Sequence, residues 1–363
     1  MEYRRVREGE VEIYVPNVEL PEKGRKYGFY NPEMKTDRDI SVATLSVFKK
    51  IFSEISSKEI KICDLLCATG IRGIRYKKEI GGEVTINDVN ENAIELAKRN
   101  VDLNGLNVTV RNEDANLLLA KERFDVIDID PFGSPVYFVG AAARSLTKFS
   151  FLCVTATDTA TLFGVHPETC RRRYGALSIK CQFSKELGTR ILLSFLIKEF
   201  AKYGKCFTPI LSYSKRHYVR IFGMVEKSGN KINKILNQLK LLSYYDGLWQ
   251  EGIKNGMKPI GEIYLGETSN KEFCNKIIEE VKKRGLEGIK ILNMITDEID
   301  EPFYYDIRWI AKRYKIKMLP IEEIISWLRQ MGFKASRTAF CDFGIKTNAR
   351  AEDIKNIKKI EGL

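Results

Sequence analysis

Between residues 60 and 160 the chain alternates short, unbroken apolar runs with longer segments whose apolar residues recur every three or four positions. The runs KICDLL (61–66), EVTINDV (83–89), VTVRNEDA (108–115), FDVIDID (124–130) and FLCVTATD (151–158) predict strands. Their apolar positions are continuous rather than alternating, which fits burial on both faces of a sheet. ENAIELAKRNVDLNG (91–105) predicts a helix with Ala93, Leu96, Ala97 and Val101 on one face, Asn90 as N-cap and Gly105 as its stop. SPVYFVGAAARSLTK (134–148) predicts another, with Pro135 in its first turn. Strands separated by helices imply a parallel, doubly wound α/β sheet. KCFTPILSYS (205–214) and RHYVRIFGMVEK (216–227) are strand-like runs with almost no spacer, so they predict an antiparallel hairpin at the sheet edge. A junction follows at SGNKINK (228–234). Beyond it PIGEIYLGE, GIKILNMI and IEEIISWLRQMG mix short strands with amphipathic helices. The expected organisation is a first domain over 1–230 and a smaller α+β domain over 231–363.

Bulk properties narrow the function. A chain of 363 residues with 44% hydrophobic residues can fill two cores, and 30% charged residues give a solvated surface. The formal net charge of +12 suits a polyanionic partner, although a Lys-rich solvated surface would give the same count. No run of ~18 apolar residues is present, so no membrane span is expected. The N-terminal stretch MEYRRVREGEVEIYV lacks a signal-peptide core, and a cytoplasmic site is expected. Eight cysteines occur without a CxxC pair and with only two histidines. Buried free thiols are therefore expected, and no metal.

The strand ends carry the candidate chemistry. Gly70 and Gly73 lie in the turn after the first strand, where small residues let backbone approach a ligand. The third glycine of a dinucleotide fingerprint is missing. Asp88 ends the second strand, where a carboxylate can accept ribose hydroxyls. Asp114 and Ala115 end the third, where an acid can face an adenine amine. Each acid is equally readable as a helix cap or a solvated loop residue, but together they predict a nucleoside crevice. With no obvious phosphate clamp, S-adenosyl-L-methionine suits it better than NAD. Asp130-Pro131-Phe132-Gly133 closes the fourth strand. An exocyclic base amine is a poor nucleophile because its lone pair is conjugated with the ring, so it must be held in line with the methyl group. Asp130 and the backbone carbonyl of Asp130 or Pro131 can accept its hydrogens, Phe132 can stack on the base, and Asp130 can take the proton. A packed Pro-Phe-Gly turn is the alternative. Arg171, Arg172, Arg173 and Tyr174 form a basic-aromatic cluster able to hold RNA, or a solvated helix start. Strand alternation puts Arg216, Tyr218 and Arg220 on one hairpin face, where they could also meet RNA, and His217 on the other, where it is expected to be structural rather than a base. Arg308, Lys312, Arg313 and Lys315 in YYDIRWIAKRYKIK (304–317) either grip RNA or edge a core helix.

These motifs closely resemble the tRNA (guanine(26)-N2)-dimethyltransferase family of archaeal and eukaryotic type, over almost the whole chain. The matching stretches are FYNPEMKTDRDIS (29–41), LCATGIRGIRY (66–76), INDVNENAIELAKRNVDLNG (86–105), NEDAN (112–116), DIDPFGSP (128–135), VTATDTATLFG (154–164), RRRYGA (171–176) and FKASRTAF…GIKTNA (333–349). The resemblance implies a class I, Rossmann-like methyltransferase fold and S-adenosyl-L-methionine as cofactor. It implies Arg38, Arg72, Asp88, Asp114 and Ala115 on the cofactor and Asp130 as catalytic acid or base. It also implies transfer of one or two methyl groups to guanine N2 in the tRNA core, from which the base must be extruded. Two departures stand out: the Cys cluster of some family members is missing, and Ala339 stands where a histidine is frequent. Competing expectations are a non-catalytic RNA-binding protein on a methyltransferase scaffold, a methyltransferase acting on another nucleic-acid amine, and an NAD-dependent oxidoreductase. The last is disfavoured by the missing glycine and by the lack of a catalytic His or Tyr constellation. A monomer is expected.

Overall fold

The computed structural model describes residues 2–18 and 26–354, so the last nine positions of the expected second domain lie outside the described residues. An antiparallel hairpin, β1 (Tyr3–Glu8) and β2 (Val11–Pro16), precedes a long helix, α1 (Lys35–Ile55). The expected alternation follows: β3 (Lys61–Asp64), α2 (Ile71–Arg75) continued by a π-helical turn (Tyr76–Ile80), β4 (Glu83–Asn87), α3 (Glu91–Leu103), β5 (Thr109–Arg111), α4 (Ala115–Lys121), β6 (Phe124–Ile129), α5 (Val136–Ser145) and β7 (Leu146–Ala156). Helices α6 (Thr159–Leu162), α7 (Pro167–Tyr174) and α8 (Ser184–Lys202) lead to the hairpin β8 (Cys206–Lys215) and β9 (Tyr218–Glu226). The seven strands β3–β9 form one sheet in the order β5-β4-β3-β6-β7-β9-β8. Only β9 runs against the others, inserted antiparallel between β7 and β8. The α/β sheet with its antiparallel hairpin is the fold the sequence predicts.

Capping explains several boundaries. The Asn90 side chain accepts from the Asn92 amide and starts α3, and Gly105 follows its end at φ +59°. The third strand stops well short of residue 115. Glu113 gives its amide to the Asn87 side chain (3.1 Å), and Asp114 turns to cap α4. The helix expected to run to 148 ends at Ser145, and the next residues join β7.

After residue 228 come α9 (Gly229–Leu236), β10 (Leu239–Tyr245), β11 (Leu248–Glu251), β12 (Lys258–Tyr264), α10 (Lys271–Arg284), α11 (Ile289–Asp297), β13 (Tyr305–Asp306), α12 (Ile307–Tyr314), α13 (Ile321–Gln330), β14 (Ala335–Thr338) and β15 (Cys341–Thr347). Two three-stranded sheets result, β11-β10-β12 and β13-β15-β14. Ile307, Ile310, Ile324, Leu328 and Ile345 share a core around the second of these sheets. The basic helix near residue 310 therefore satisfies both expectations in part: its isoleucines are core, while Arg308, Lys312 and Arg313 are exposed. Elsewhere this region is welded to the main sheet. Phe273 of α10 stacks on Phe151 of β7 (6.1 Å), which meets Phe48 of α1 (4.8 Å). Among the described residues, no helix is long and apolar enough to cross a membrane.

Candidate active site

The carboxyl ends of β3, β4, β6 and β7 lie along one edge of the sheet. Strand order reverses there, because β3 sits between β4 and β6. Loops diverge at such a switch point and leave a crevice. Here it is a cavity of about 880 Å³, lined by Leu66–Ala68 after β3, Asp88–Asn90 after β4, Asp130–Phe132 after β6 and Thr157 after β7. Phe29, Tyr30 and Arg38 close one side, and Lys215, Arg216 and His217 stand on another.

The cofactor side is built by the glycine turn. Gly70, at φ +79°, starts α2. Gly73 serves helix–strand packing rather than ligand approach, because a Cβ there would lie 2.2 Å from Ile86. Asp88 accepts the amides of Ala68 and Asn90, each at 2.9 Å, through different oxygens. A carboxylate offers roughly four acceptor positions, so about half remain for a diol. Leu66, Ile71, Val89 and Ala93 add apolar wall. This donor set fits an uncharged nucleoside. Asp114 sits elsewhere. Its carboxylate caps α4 through the amides of Asn116 (2.8 Å) and Leu117 (3.1 Å), Ala115 is buried, and neither lines the cavity.

The catalytic side is held by a buried ionic network that the sequence reading did not anticipate. Asp130 receives Arg72 Nη2 at 2.6 Å, and the same nitrogen reaches Asp37 at 2.9 Å. Asp128 lies two residues before Asp130 on β6. It is gripped by both Nη atoms of Arg220 (2.7 Å each) and by the Tyr76 hydroxyl (2.6 Å). Tyr213 donates to Asp37 at 2.7 Å. Burial pushes Asp37 and Asp128 up, but Arg220 and Arg72 outweigh it and hold both below the usual carboxylate range. Asp64 differs. Burial and the neighbouring Asp128 raise it to about 7, against the Arg72 guanidinium and the amide of Gly73. Behind this layer, Glu8 from the N-terminal hairpin takes Arg38 in two bonds (2.7 and 2.6 Å) and Arg75 in a third (3.0 Å). Arg38 and Arg72 thus both line the cavity with their guanidiniums anchored on acids.

Phe132 is 56% exposed, facing Phe29 edge-on at 4.8 Å, so the packed-turn alternative does not describe it. Pro131 beside it is buried. Gly133 adopts φ +99°, a conformation that L side chains rarely tolerate. Thr157 pins this turn: its hydroxyl accepts the Gly133 amide at 2.6 Å, and its own amide returns to the Gly133 carbonyl at 2.9 Å.

Two expected RNA contacts are corrected. Tyr174 is buried, its hydroxyl bridging Ser134 (2.7 Å) and Asp158 (2.8 Å), so it braces the catalytic turn from behind. Arg171 and Arg172 remain exposed on the same helix, while Arg173 pairs with Asp158 at 3.0 Å. On the hairpin, Arg220 is fully buried in the ionic network and Tyr218 is buried too. The turn at Arg216 and His217 breaks the alternation, with Arg216 at φ +51° paired to Glu33. His217, expected to be structural, is exposed at the cavity rim.

The chain matches the model of the N2,N2-dimethylguanosine tRNA methyltransferase family over residues 9–359. It belongs to this family. Among curated members, the tRNA (guanine(26)-N(2))-dimethyltransferase of Methanobrevibacter smithii is 39% identical over 91% of both chains. That of Pyrococcus horikoshii is 36% identical over 99% of both. The solved structure of Trm1 from Pyrococcus horikoshii in complex with S-adenosyl-L-methionine superposes with a TM-score of 0.87 at 35% identity, covering 97% of this chain and 99% of that one. Membership thus spans both the crevice-bearing sheet and the C-terminal elements.

Proposed function

We propose that this chain transfers one or two methyl groups from S-adenosyl-L-methionine to the exocyclic N2 amine of guanine 26 in tRNA. The observation that carries the reading is the single cavity joining Asp130 and Phe132 to the glycine turn and Asp88. Family membership over nearly the full length and the net charge of +12 support tRNA as the partner.

Asp88 holds the ribose hydroxyls of the cofactor, with Arg38 and Arg72 along the same wall. Asp114 and Ala115, which do not line the cavity, are assigned no contact with the cofactor. When bound, S-adenosyl-L-methionine supplies an electrophilic methyl group. The protein's task is to present the amine. Phe132 stacks on the guanine, and the carbonyl of Pro131 and the carboxylate of Asp130 accept its two N2 hydrogens, which aligns the lone pair. The nitrogen becomes acidic only as the new bond forms, so its proton passes to the adjacent Asp130 without need of a strong base. Arg72, clamped by Asp37, keeps that carboxylate in place. Because a guanine of the tRNA core is buried, it enters extruded. Incubation with labelled S-adenosyl-L-methionine and unmodified tRNA, followed by nucleoside analysis, tests the reading. N2-methylated guanosine at position 26 is expected, and its complete absence would reject it.

A further inference from the structure

A second cavity, of about 660 Å³, opens between α5, α7 and α8. Tyr137, in the first turn of α5 and 63% exposed, lines both cavities and forms their shared wall. The two differ in how their charges are met. The first mixes acids with cations, and its guanidiniums Arg38, Arg72 and Arg216 are each paired with a carboxylate. Arg144, Arg172 and Arg173 line the second, with the Phe195 ring. Arg173 is matched by Asp158 at 3.0 Å, and the one acid of this cavity, Glu199, by Lys202 at 2.6 Å. Among the described residues Arg144 and Arg172 meet no carboxylate, and both are exposed. An exposed aromatic face beside two uncompensated guanidiniums is the combination that holds single-stranded nucleic acid, base on ring and phosphate on cation. The volume suits one nucleotide.

We infer that this second cavity binds a nucleotide flanking the target guanine in the same RNA strand, its base against Tyr137 and its phosphate between Arg144 and Arg172. The inference rests on the proposed function and gives the extruded base a structural counterpart. Extrusion unstacks a neighbour, and Tyr137 replaces the lost stacking partner at the entrance to the methyl-transfer cavity.

The test uses the full chain and unmodified tRNA, with wild type, Tyr137→Ala, Tyr137→Phe and the double variant Arg144→Ala/Arg172→Ala. All three positions are exposed, so the substitutions remove no core packing, and unfolding in urea is expected to match wild type. Tyr137→Ala is expected to weaken tRNA binding about tenfold while Tyr137→Phe retains it. The double arginine variant is expected to lower the slope of log affinity against log salt by about one, because the two side chains share one phosphate, with S-adenosyl-L-methionine affinity unchanged. If wild type methylates tRNA but the variants keep its affinity and salt slope, this inference is overturned alone. If wild type forms no N2-methylguanosine, the proposed function falls and takes this assignment with it.

Discussion

Replacing Asp130 by alanine separates chemistry from architecture, because its surroundings absorb the loss. Its carboxylate is 24% exposed, and Arg72 keeps Asp37 at 2.9 Å and Asp128 at 3.7 Å when Asp130 is gone. No buried cation is stranded. The lost bond is charge-assisted, worth roughly 1.5–3 kcal/mol when buried, and partial exposure discounts it to about 1 kcal/mol. Asp88 and the glycine turn are untouched, so cofactor affinity should stay within about threefold of wild type, under 1 kcal/mol. The barrier should rise far more. An acceptor placed for proton transfer contributes about 10²–10⁴ in rate, equivalent to roughly 3–5 kcal/mol. Single-turnover formation of N2-methylguanosine, with cofactor binding followed by calorimetry, measures both. A variant that transfers methyl groups within about tenfold of wild type would refute the assigned role. So would one that loses the cofactor.

Arg220→Met takes from buried Asp128 both of its 2.7 Å ionic bonds and leaves it Arg72 only at 3.7 Å, so it should cost about 3 kcal/mol in urea unfolding; a loss below about 1 kcal/mol would contradict the network as described. Asp64 titrates at about 7 in the folded chain and near 3.9 when unfolded. Between those values the folded state binds the extra proton, so this group's contribution to stability falls as pH rises through that window. Asp64→Asn removes the effect, and its stability relative to wild type should improve from about pH 4 to about pH 7. A pH-independent difference in unfolding free energy would show that Asp64 does not carry the proton.

The sheet was legible in the sequence because parallel strands buried on both faces read as unbroken apolar runs, and Asn90 and Gly105 punctuate α3 where expected. Asp88 and Asp130 were legible as acids at strand ends. The network that fixes Asp130 was not. Tyr213 and Asp37 are separated by 176 positions, and Arg220 and Asp128 by 92, beyond the reach of local pattern. A signal existed in the charges themselves. Asp128 and Arg220 each interrupt an apolar run, and an ion inside such a strand must find its opposite within the core. Reading Arg220 as an RNA contact mistook alternation for exposure, since both faces of β9 are covered. Tyr174 misled similarly: it adjoins three arginines, yet the helix turns it inward.

The aromatic stack from Phe48 through Phe151 to Phe273 bears on any attempt to dissect the enzyme. Truncation at residue 230, the boundary that periodicity suggests, would strip α10 from α1 and bare Phe273's partners together with the Lys50–Glu280 pairing. A minimal active fragment must therefore carry α10 along, and expression trials of the isolated N-terminal portion should yield aggregate rather than a working methyltransferase.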